Sequence, residues 1–536
     1  MVFQDDGFTV RSLVTLKSFL SDRALTVKRP RQQPPSLIFT LPAEMLAEMF
    51  LQATDDQDPA SLLNPMHSHF VLTRVCALWR AVAIHTPSLW CRVVLHLGGR
   101  TTGFSSITSL AKTCFDRSRE LPLALIISSS VTDSSSIPNL SMDLVLPVRH
   151  RIRHLELKLP VVFTESIFKL PRNSLKALRS ISVCAMISDA ESAWFRSMSA
   201  LEGAPVLESV KLSCGHAPNS VMQWRMAETR FDPYLAGLPW ERLTELVIQD
   251  LEVRHEDALY ALEMTTSLVR CVMDLRIIAP LAPVLAFTNL PFTVPPAPTP
   301  APADAPPPNP PKPVKLPALH TLELAVSGAS NAPADFFDRL ILPFLKELSI
   351  KYKDRQPLPC ATLTDLQTRS GTSFSLHRFA LASRTGDSLL PFLEHNPLLS
   401  RLQLVFCALE LTPLAHALTP QRKSDNDEGG TQTQVLLLPH LRLLSLADRW
   451  TEEAPAARWA RATKAVLEMV RSRQRAGLEK FTFGSQAPLG AKRAARLEKW
   501  RTGAGGICVR TVCVPPERAH LMRADYINMI LWEDEF

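Results

Sequence analysis

The chain has 536 residues, with 59 Lys plus Arg against 52 Asp plus Glu and a formal net charge of +7. A bias that weak, spread over that length, is not the concentrated basic surface of a nucleic-acid binder. Apolar residues make up 46%, enough for a large core and incompatible with global disorder, while Gly (18) is scarce beside Pro (44), which argues against Gly-rich phosphate loops.

Residues 1–36 read as a flexible segment. Its basic, Pro-punctuated part holds Lys28, Arg29, Pro30, Arg31, Pro34 and Pro35, the composition of a solvated linker or a nuclear-import signal. Order is expected from Leu37. From Leu41 the sequence LPAEMLAEMFL predicts a helix, with Pro42 and Glu44 suited to its first turn. Met45, Leu46, Met49 and Phe50 share one face at helical spacing. The polar residues Thr54, Asp55, Asp56, Gln57, Asp58 and Pro59 then read as a loop. Residues 70–90 predict a second helix with an apolar stripe of Leu72, Val75, Cys76, Trp79, Val82 and Ala83, ended by Pro87 and followed by Trp90.

Leu41-Pro42, Glu44, Leu46, Met49-Phe50, Val75-Cys76, Trp79-Arg80 and Pro87-Ser88-Leu89-Trp90 form a series that resembles the F-box, in wording closest to the F-box-like family of mushroom-forming fungi. The segment 53–69 is longer and more acidic than in a compact F-box. The resemblance implies an all-helical module over residues 37–97. It implies that Leu41, Pro42, Leu46, Phe50, Val75, Cys76 and Trp79 dock a Skp-type adaptor, and through it a cullin ubiquitin ligase. Composition points the same way. A module of roughly 50–60 residues buries little of its own surface, yet this one carries two Trp, three Phe, three Met and several Leu. Either another protein covers them or the rest of this chain does. Trp90 is the residue expected to seal against the following domain.

The pattern apolar-x-x-apolar-x-apolar then recurs. It begins at 152, 178, 207, 243, 268, 319, 345, 376, 399, 441 and 478, so the steps are 26, 29, 36, 25, 51, 26, 31, 23, 42 and 37 residues. The step of 51 contains a Pro-rich insert, 291–317, with 13 prolines in 27 residues; the step of 42 contains the polar insert 421–434. The first reads as a polyproline-like surface excursion or a ligand for an aromatic groove, the second as a disordered loop. Each pattern ends in a short strand with alternate side chains inward. Helical patterns at 256–264, 334–342, 387–395 and 456–474 lie between strands. The expected fold class is α/β: an N-terminal helical module, then an irregular leucine-rich-repeat solenoid over 98–516, with parallel strands inside and helices outside. An unrelated α/β domain with Leu-rich strands is the alternative. Only Cys407 stands where the repeat family expects Asn or Cys, so an Asn ladder is absent and the strand turns must be satisfied differently.

In such a solenoid the third and fifth positions of each pattern face the inner curve. They hold the acids Glu156, Glu245, Glu323 and Glu347 and the bases Lys211, Arg270, Arg378, Arg401 and Lys480. Balanced charge without interleaved aromatics argues against nucleic acid and for a protein target. Arg270, Arg378, Arg401 and Lys480 are the candidate target-binding residues, and the basic C-terminal half points to an acidic segment on the target.

Searches for chemistry return little. GxGxxG, GxxxxGK, HExxH and GxSxG are absent, and Gly98–Gly103 has Phe104 where a P-loop needs Lys. Cys214-Gly215-His216 is a weak thiol–imidazole pair, and His67, His69 and nearby aspartates are a weak metal set. The ten cysteines form no CxxC pair or zinc spacing and read as reduced, mostly buried thiols. Ile507–Val514 reads as a late strand, and 517–536 as a cap or an interaction tail. No signal peptide and no membrane span is expected; the compartment expected is cytoplasmic, nuclear or both. The resulting expectation is a non-catalytic substrate receptor of a cullin-type ubiquitin ligase, without cofactor or metal. Its alternative is a leucine-rich interaction scaffold that does not bind the ligase.

Overall fold

The computed structural model describes residues 37–55, 68–97, 104–129, 141–187, 198–216, 237–276, 312–327, 333–352, 360–382, 389–406, 411–422, 434–448, 456–485 and 508–513. The chain divides into two compact units, with Leu89 in the first and Trp90 in the second.

The described part of the first unit is helical. A 3-10 turn at Leu37–Thr40 precedes α1 (Ala43–Asp55), α2 (Ser68–Val75) and α3 (Ala77–His85). Leu46 N–H donates to the Pro42 carbonyl at 3.1 Å, so Pro42 sits at the start of α1 as its missing donor requires. Two expectations need correction. α1 runs through Thr54 and Asp55, where a loop was expected; the Thr54 hydroxyl donates to the Leu51 carbonyl. The stretch 70–86 is two helices, not one. Cys76 takes an extended backbone (φ −158°, ψ 174°), and its sulfur accepts the Trp79 N–H at 3.4 Å as the cap of α3. Arg80 Nε ties the break by donating to the Thr73 carbonyl at 2.8 Å. The helix ends before Pro87, which opens a 3-10 turn to Trp90.

In the second unit the strands are β1 (Arg92–Leu97), β2 (Leu123–Ser129), β3 (Ile152–Pro160), β4 (Ser180–Ile187), β5 (Ser209–His216), β6 (Glu245–Arg254), β7 (Arg270–Arg276), β8 (Val314–Lys315) and β9 (Thr321–Ser327). Then come β10 (Leu340–Ile341), β11 (Glu347–Tyr352), β12 (Arg378–Ala382), β13 (Arg401–Phe406), β14 (Gln421–Arg422), β15 (Gln434–Val435), β16 (Leu443–Asp448), β17 (Lys480–Ser485) and β18 (Cys508–Cys513). Fourteen of them form one sheet, paired in chain order and parallel throughout; β8–β10 and β14–β15 are separate two-stranded ladders. The fold is therefore α/β, with a long parallel sheet built by repetition. All eleven predicted strand patterns, and the late strand, lie on this sheet. β1 and β2 were not anticipated. β1 lies inside the range assigned to the helical module, yet it joins the sheet.

The pattern maps onto the strands in a fixed way. In β6, for example, Leu246 and Ile248 point into the core and are fully buried, and Leu243 is buried in the turn before them. Helices at His255–Met264 and Ala456–Gln474 fall where the periodicity places them. The stretch 334–342 does not stay helical: its helix ends at Asp338, and Leu340–Ile341 pairs with Val314–Lys315. The last residues of the expected Pro-rich excursion are thus part of the fold, with Val314 and Leu316 buried. The ends of the polar insert likewise pair, Gln421 with Val435 and Arg422 with Gln434. The rest of both inserts, 1–36, Cys407 and 517–536 lie outside the described residues.

The missing Asn ladder has a backbone replacement. From β4 to β16 of the large sheet, the carbonyl one residue before each strand accepts two N–H groups from the next repeat. Thr244 takes Val269 N–H (2.8 Å) and Arg270 N–H (3.0 Å), Val269 takes His320 (2.8 Å) and Thr321 (3.1 Å), and His320 takes Lys346 and Glu347 (both 2.9 Å). Lys346, His377, Ser400 and Arg442 continue the series in the same way. Both lone pairs of a peptide oxygen are used, so the turns are satisfied without side chains.

Late in the sheet, one buried side chain ties two segments, the end of the helix Leu411–Leu418 and the turn at Leu437-Leu438. Arg473 donates Nε to the Leu418 carbonyl (2.5 Å), Nη1 to Leu438 (2.8 Å) and Nη2 to Leu437. Burial lowers its pKa to about 10, so it stays charged at neutral pH. Truncating it orphans three carbonyls, each costing about 1–3 kcal/mol if no water replaces the donor. Arg473→Ala should therefore lower stability by at least ~3 kcal/mol in urea unfolding, whereas Arg475→Ala, exposed two residues on, should leave the midpoint unchanged.

Candidate functional site

Two surfaces collect the residues singled out above. The first is on the helical unit. Leu46 and Phe50 are buried, and the Phe50 and Trp79 rings pack at 4.9 Å. Trp79, Cys76 and Leu41 are partly covered, while Pro42 is exposed. This corrects the expectation that the whole set is open for docking: Leu46 and Phe50 are core. What is exposed instead is Met45 (55%) and Met49 (44%) on α1, Val75 (45%) at the end of α2 and Leu78 (39%) on α3. The reason is angular. At about 100° per residue, Met45 and Met49 lie within ~40° of each other, as do Leu46 and Phe50, with the pairs ~100° apart. One wide apolar stripe is thus half covered and half open. The break at Cys76 turns Val75 and Leu78 outward together. The Trp79 Nε1–H is buried without a hydrogen-bond partner.

The second surface is one face of the sheet. The four candidate target-binding residues fall in a single register row: Arg270, Thr321, Glu347, Arg378, Arg401, Leu443 and Lys480 are consecutive partners. They do not all have the same surroundings. Arg270 lies inside a network. Its Nη1 donates to Glu245 Oε1 at 3.1 Å and its Nη2 to Glu323 Oε1 at 2.9 Å. Glu245 Oε1 also meets Lys211 Nζ at 2.9 Å, and its Oε2 accepts the Ser209 hydroxyl at 2.7 Å. Burial works to raise the Glu245 pKa, but Ser209, Lys211 and Arg270 outweigh it and hold the carboxyl below its usual range. Burial works against the charge on Arg270, and Glu323 and Glu245 more than restore it. Glu156 is paired with Lys158 at 3.0 Å. Lys211, Glu245, Arg270 and Glu323 therefore balance locally around β5–β9, and Glu347, Arg378, Arg401 and Lys480 lie further along the row.

Arg270 is thus part of a structural network, a departure from its expected place in the target-binding set. Sequence reasoning missed Met45, Met49 and Leu78 as the protruding residues, although the first two were visible on the helical stripe. It also missed the pairing of Lys211, Glu245, Arg270 and Glu323, for which the equal third-position spacing was the available signal.

Other candidates offer less. Cys214 is buried in β5, and burial first, then Asp250 and Cys184, push its thiol up, the wrong direction for a nucleophile. Among the described residues no three His, Cys, Asp or Glu side chains stand close enough to hold a metal ion; His67 lies outside them. No described helix is long and apolar enough to cross a membrane. A cleft of about 750 Å³ beside the helix Phe104–Arg117 mixes Lys112, Arg119 and Arg151 with Asp116, Glu120 and Asp143. His150 and Glu120 on its rim are both exposed at 3.9 Å, and Arg151 is held by the Ser118 hydroxyl at 2.8 Å. No protein-family model and no curated protein matches this chain.

The network has a testable pH signature. Because the folded-state pKa of Glu245 is depressed, its contribution is fully present above the unfolded value near 4.5 and fades as pH falls through the lower folded value. Glu245→Gln should lower stability by about 1 kcal/mol at neutral pH. The gap in melting temperature between the two proteins should close as pH drops below 4.5. A gap that stays constant to strongly acid pH would contradict the assignment.

Proposed function

We propose that this chain is a substrate-recognition subunit of a cullin-type ubiquitin ligase, with its helical unit acting as an F-box-like module that holds a Skp-type adaptor. The observation that carries the reading is the exposure of Met45, Met49, Val75 and Leu78 on a small unit whose Leu46 and Phe50 are covered. Apolar side chains grouped on one small unit lose free energy when a partner covers them, about 25 cal/mol per Å², and methionine adapts to a partner's contour. On the same unit Pro42 is exposed and Trp79 is partly exposed, with its indole N–H unpartnered. The F-box series in the sequence supplies the identity of the partner class.

The mechanism is positional. The sheet face captures a protein target, and the adaptor links it to the machinery that carries charged ubiquitin. Tethering raises the effective concentration of a target lysine near that carrier. No residue of this chain takes part in bond-making on this reading.

The burial of Leu46 and Phe50 favours a second reading, in which the helical unit is closed on itself and the chain is an interaction scaffold only. One binding experiment separates them. A purified Skp-type adaptor should bind the full-length chain, and Met45→Asp/Met49→Asp or Leu78→Asp should weaken it by at least tenfold at an unchanged melting temperature. Leu46→Ala should instead lower stability by about 2–5 kcal/mol. No adaptor binding by the unaltered chain would leave the scaffold.

A further inference from the structure

We propose that the exposed row Arg461, Lys464, Arg471 and Arg475, on the helix Ala456–Gln474 and the turn after it, binds the phosphate backbone of double-stranded nucleic acid without reading its sequence.

The charge of the chain is not evenly distributed. Residues 451–501 hold 12 Lys plus Arg against 5 Glu, which is +7, the formal charge of the whole chain; the remainder balances at 47 against 47. The helix shows where part of that excess emerges. Arg461, Lys464, Glu468, Arg471 and Arg475 are all exposed. At about 100° per residue they fall within an arc of ~80°, and from Arg461 to Arg475 the row runs ~21 Å. The opposite face, with Ala462, Ala465, Val466, Met469 and Val470, is buried, and Arg473 fastens it to the Leu418 carbonyl. The row is therefore held in one orientation on the fold.

Little on the protein answers these cations. Glu468 is the one carboxylate in the row and meets Lys464 at 3.9 Å. Arg461, Arg471 and Arg475 make no ion pair or hydrogen bond among the described residues. The helix packed alongside, Leu411–Leu418, has no Asp or Glu, and Glu479 is already paired with Arg442 at 3.4 Å. The helix dipole favours Arg471 near the C-terminus but gives no reason for Arg461 and Lys464 in the first half.

A line of cations complements a line of anions. Duplex DNA presents one negative charge per ~1.7 Å of its axis, whereas an extended peptide advances ~3.4 Å per residue and is at best half as dense. Three of the four cations are Arg, whose guanidinium fork matches phosphate oxygens. The apolar face of the helix is spent on the core, so nothing is left to insert into a bilayer. The row carries no aromatic side chain to stack an unpaired base, which favours a duplex backbone over a single strand. The balanced charges on the sheet face argued against a nucleic-acid groove there; these cations stand on a helix instead.

The test is fluorescence anisotropy of a fluorescein-labelled DNA duplex of arbitrary sequence with the purified full-length chain, across a salt series. Saturable binding is expected, with log K falling linearly with log salt. Arg461→Gln/Arg471→Gln/Arg475→Gln should weaken it by at least about tenfold and flatten the slope by about 3, and Arg461→Gln alone should flatten it by about 0.9. The triple Arg→Lys variant should keep most of the binding, and a second duplex of different sequence should bind equally. Arg378→Gln/Arg401→Gln, on the sheet face, should leave binding unchanged. All the altered side chains are exposed or partly exposed, so melting temperatures should stay the same. Full binding by the triple Gln variant, or equal loss in the sheet-face variant, would overturn the proposal. So would tighter binding to labelled pentaglutamate or to phosphatidylserine vesicles than to the duplex, which would assign the row to an acidic protein or a membrane. None of these outcomes bears on adaptor binding by the helical unit.

Discussion

One peptide oxygen per repeat holds the second unit in register. From β4 to β16 of the large sheet, the carbonyl before each strand accepts two N–H groups at the entry to the next strand, as Ser400 does for Arg442 (2.9 Å) and Leu443 (3.0 Å). A parallel strand slipped by one residue would turn its buried leucines to the open face. The forked bond pins each strand at its first residue, where slippage would begin. This also explains how steps of 23 to 51 residues build a regular sheet. Whatever leaves the end of a strand must return to the same fork, and the entropy of closing a loop grows only with the logarithm of its length. Insertions therefore collect between strands and leave the register untouched.

Fixed register turns sequence positions into neighbours. Residues that share a place in the repeat become a row across the sheet, so a charge is judged by the strands beside it and not by the total. Around β5–β9 the row is self-neutralised: two carboxylates, an ammonium, a guanidinium and a hydroxyl meet within hydrogen-bonding distance. Such a network stiffens the surface but offers little attraction to a partner. Along β12–β17 the same register places Arg378 beside Arg401, with Glu347 on the strand before them. The two halves of the face thus follow one construction rule and differ only in which residues occupy it.

The parts of the fold legible in sequence are those where one residue type repeats at one spacing. Leu399, Leu402 and Leu404 mark β13 because a leucine one residue off in the strand would face the open side. β1 and β2 lack the leading leucine of the pattern and went unseen, although Leu123, Leu125 and Ile127 alternate as a half-buried strand should. The break at Cys76 was hidden because its neighbours fit a continuous helical stripe; nothing in that periodicity announces a sulfur acting as a helix cap. The protruding strip was hidden for a different reason. Periodicity shows how wide an apolar arc is but not which half a neighbouring helix will cover. Met45 and Leu46 are equivalent in the pattern and opposite in the fold.

The two candidate surfaces are built by different forces, and the difference suits the roles assigned to them. Apolar contact is short-ranged and acts chiefly on how long a complex lasts, whereas complementary charge acts at a distance and chiefly speeds encounter and selects partners. A receptor that stays with its ligase while cycling through targets needs the first kind of surface for the adaptor and the second for the target. On the proposed reading the helical unit also separates stability from docking. Its core is closed by Leu46, Phe50 and Trp79, so the outer methionines do not hold the helices together and remain available for contact. Had Leu46 and Phe50 been the docking residues, losing the partner would have exposed the core itself, a heavy burden for a unit of this size.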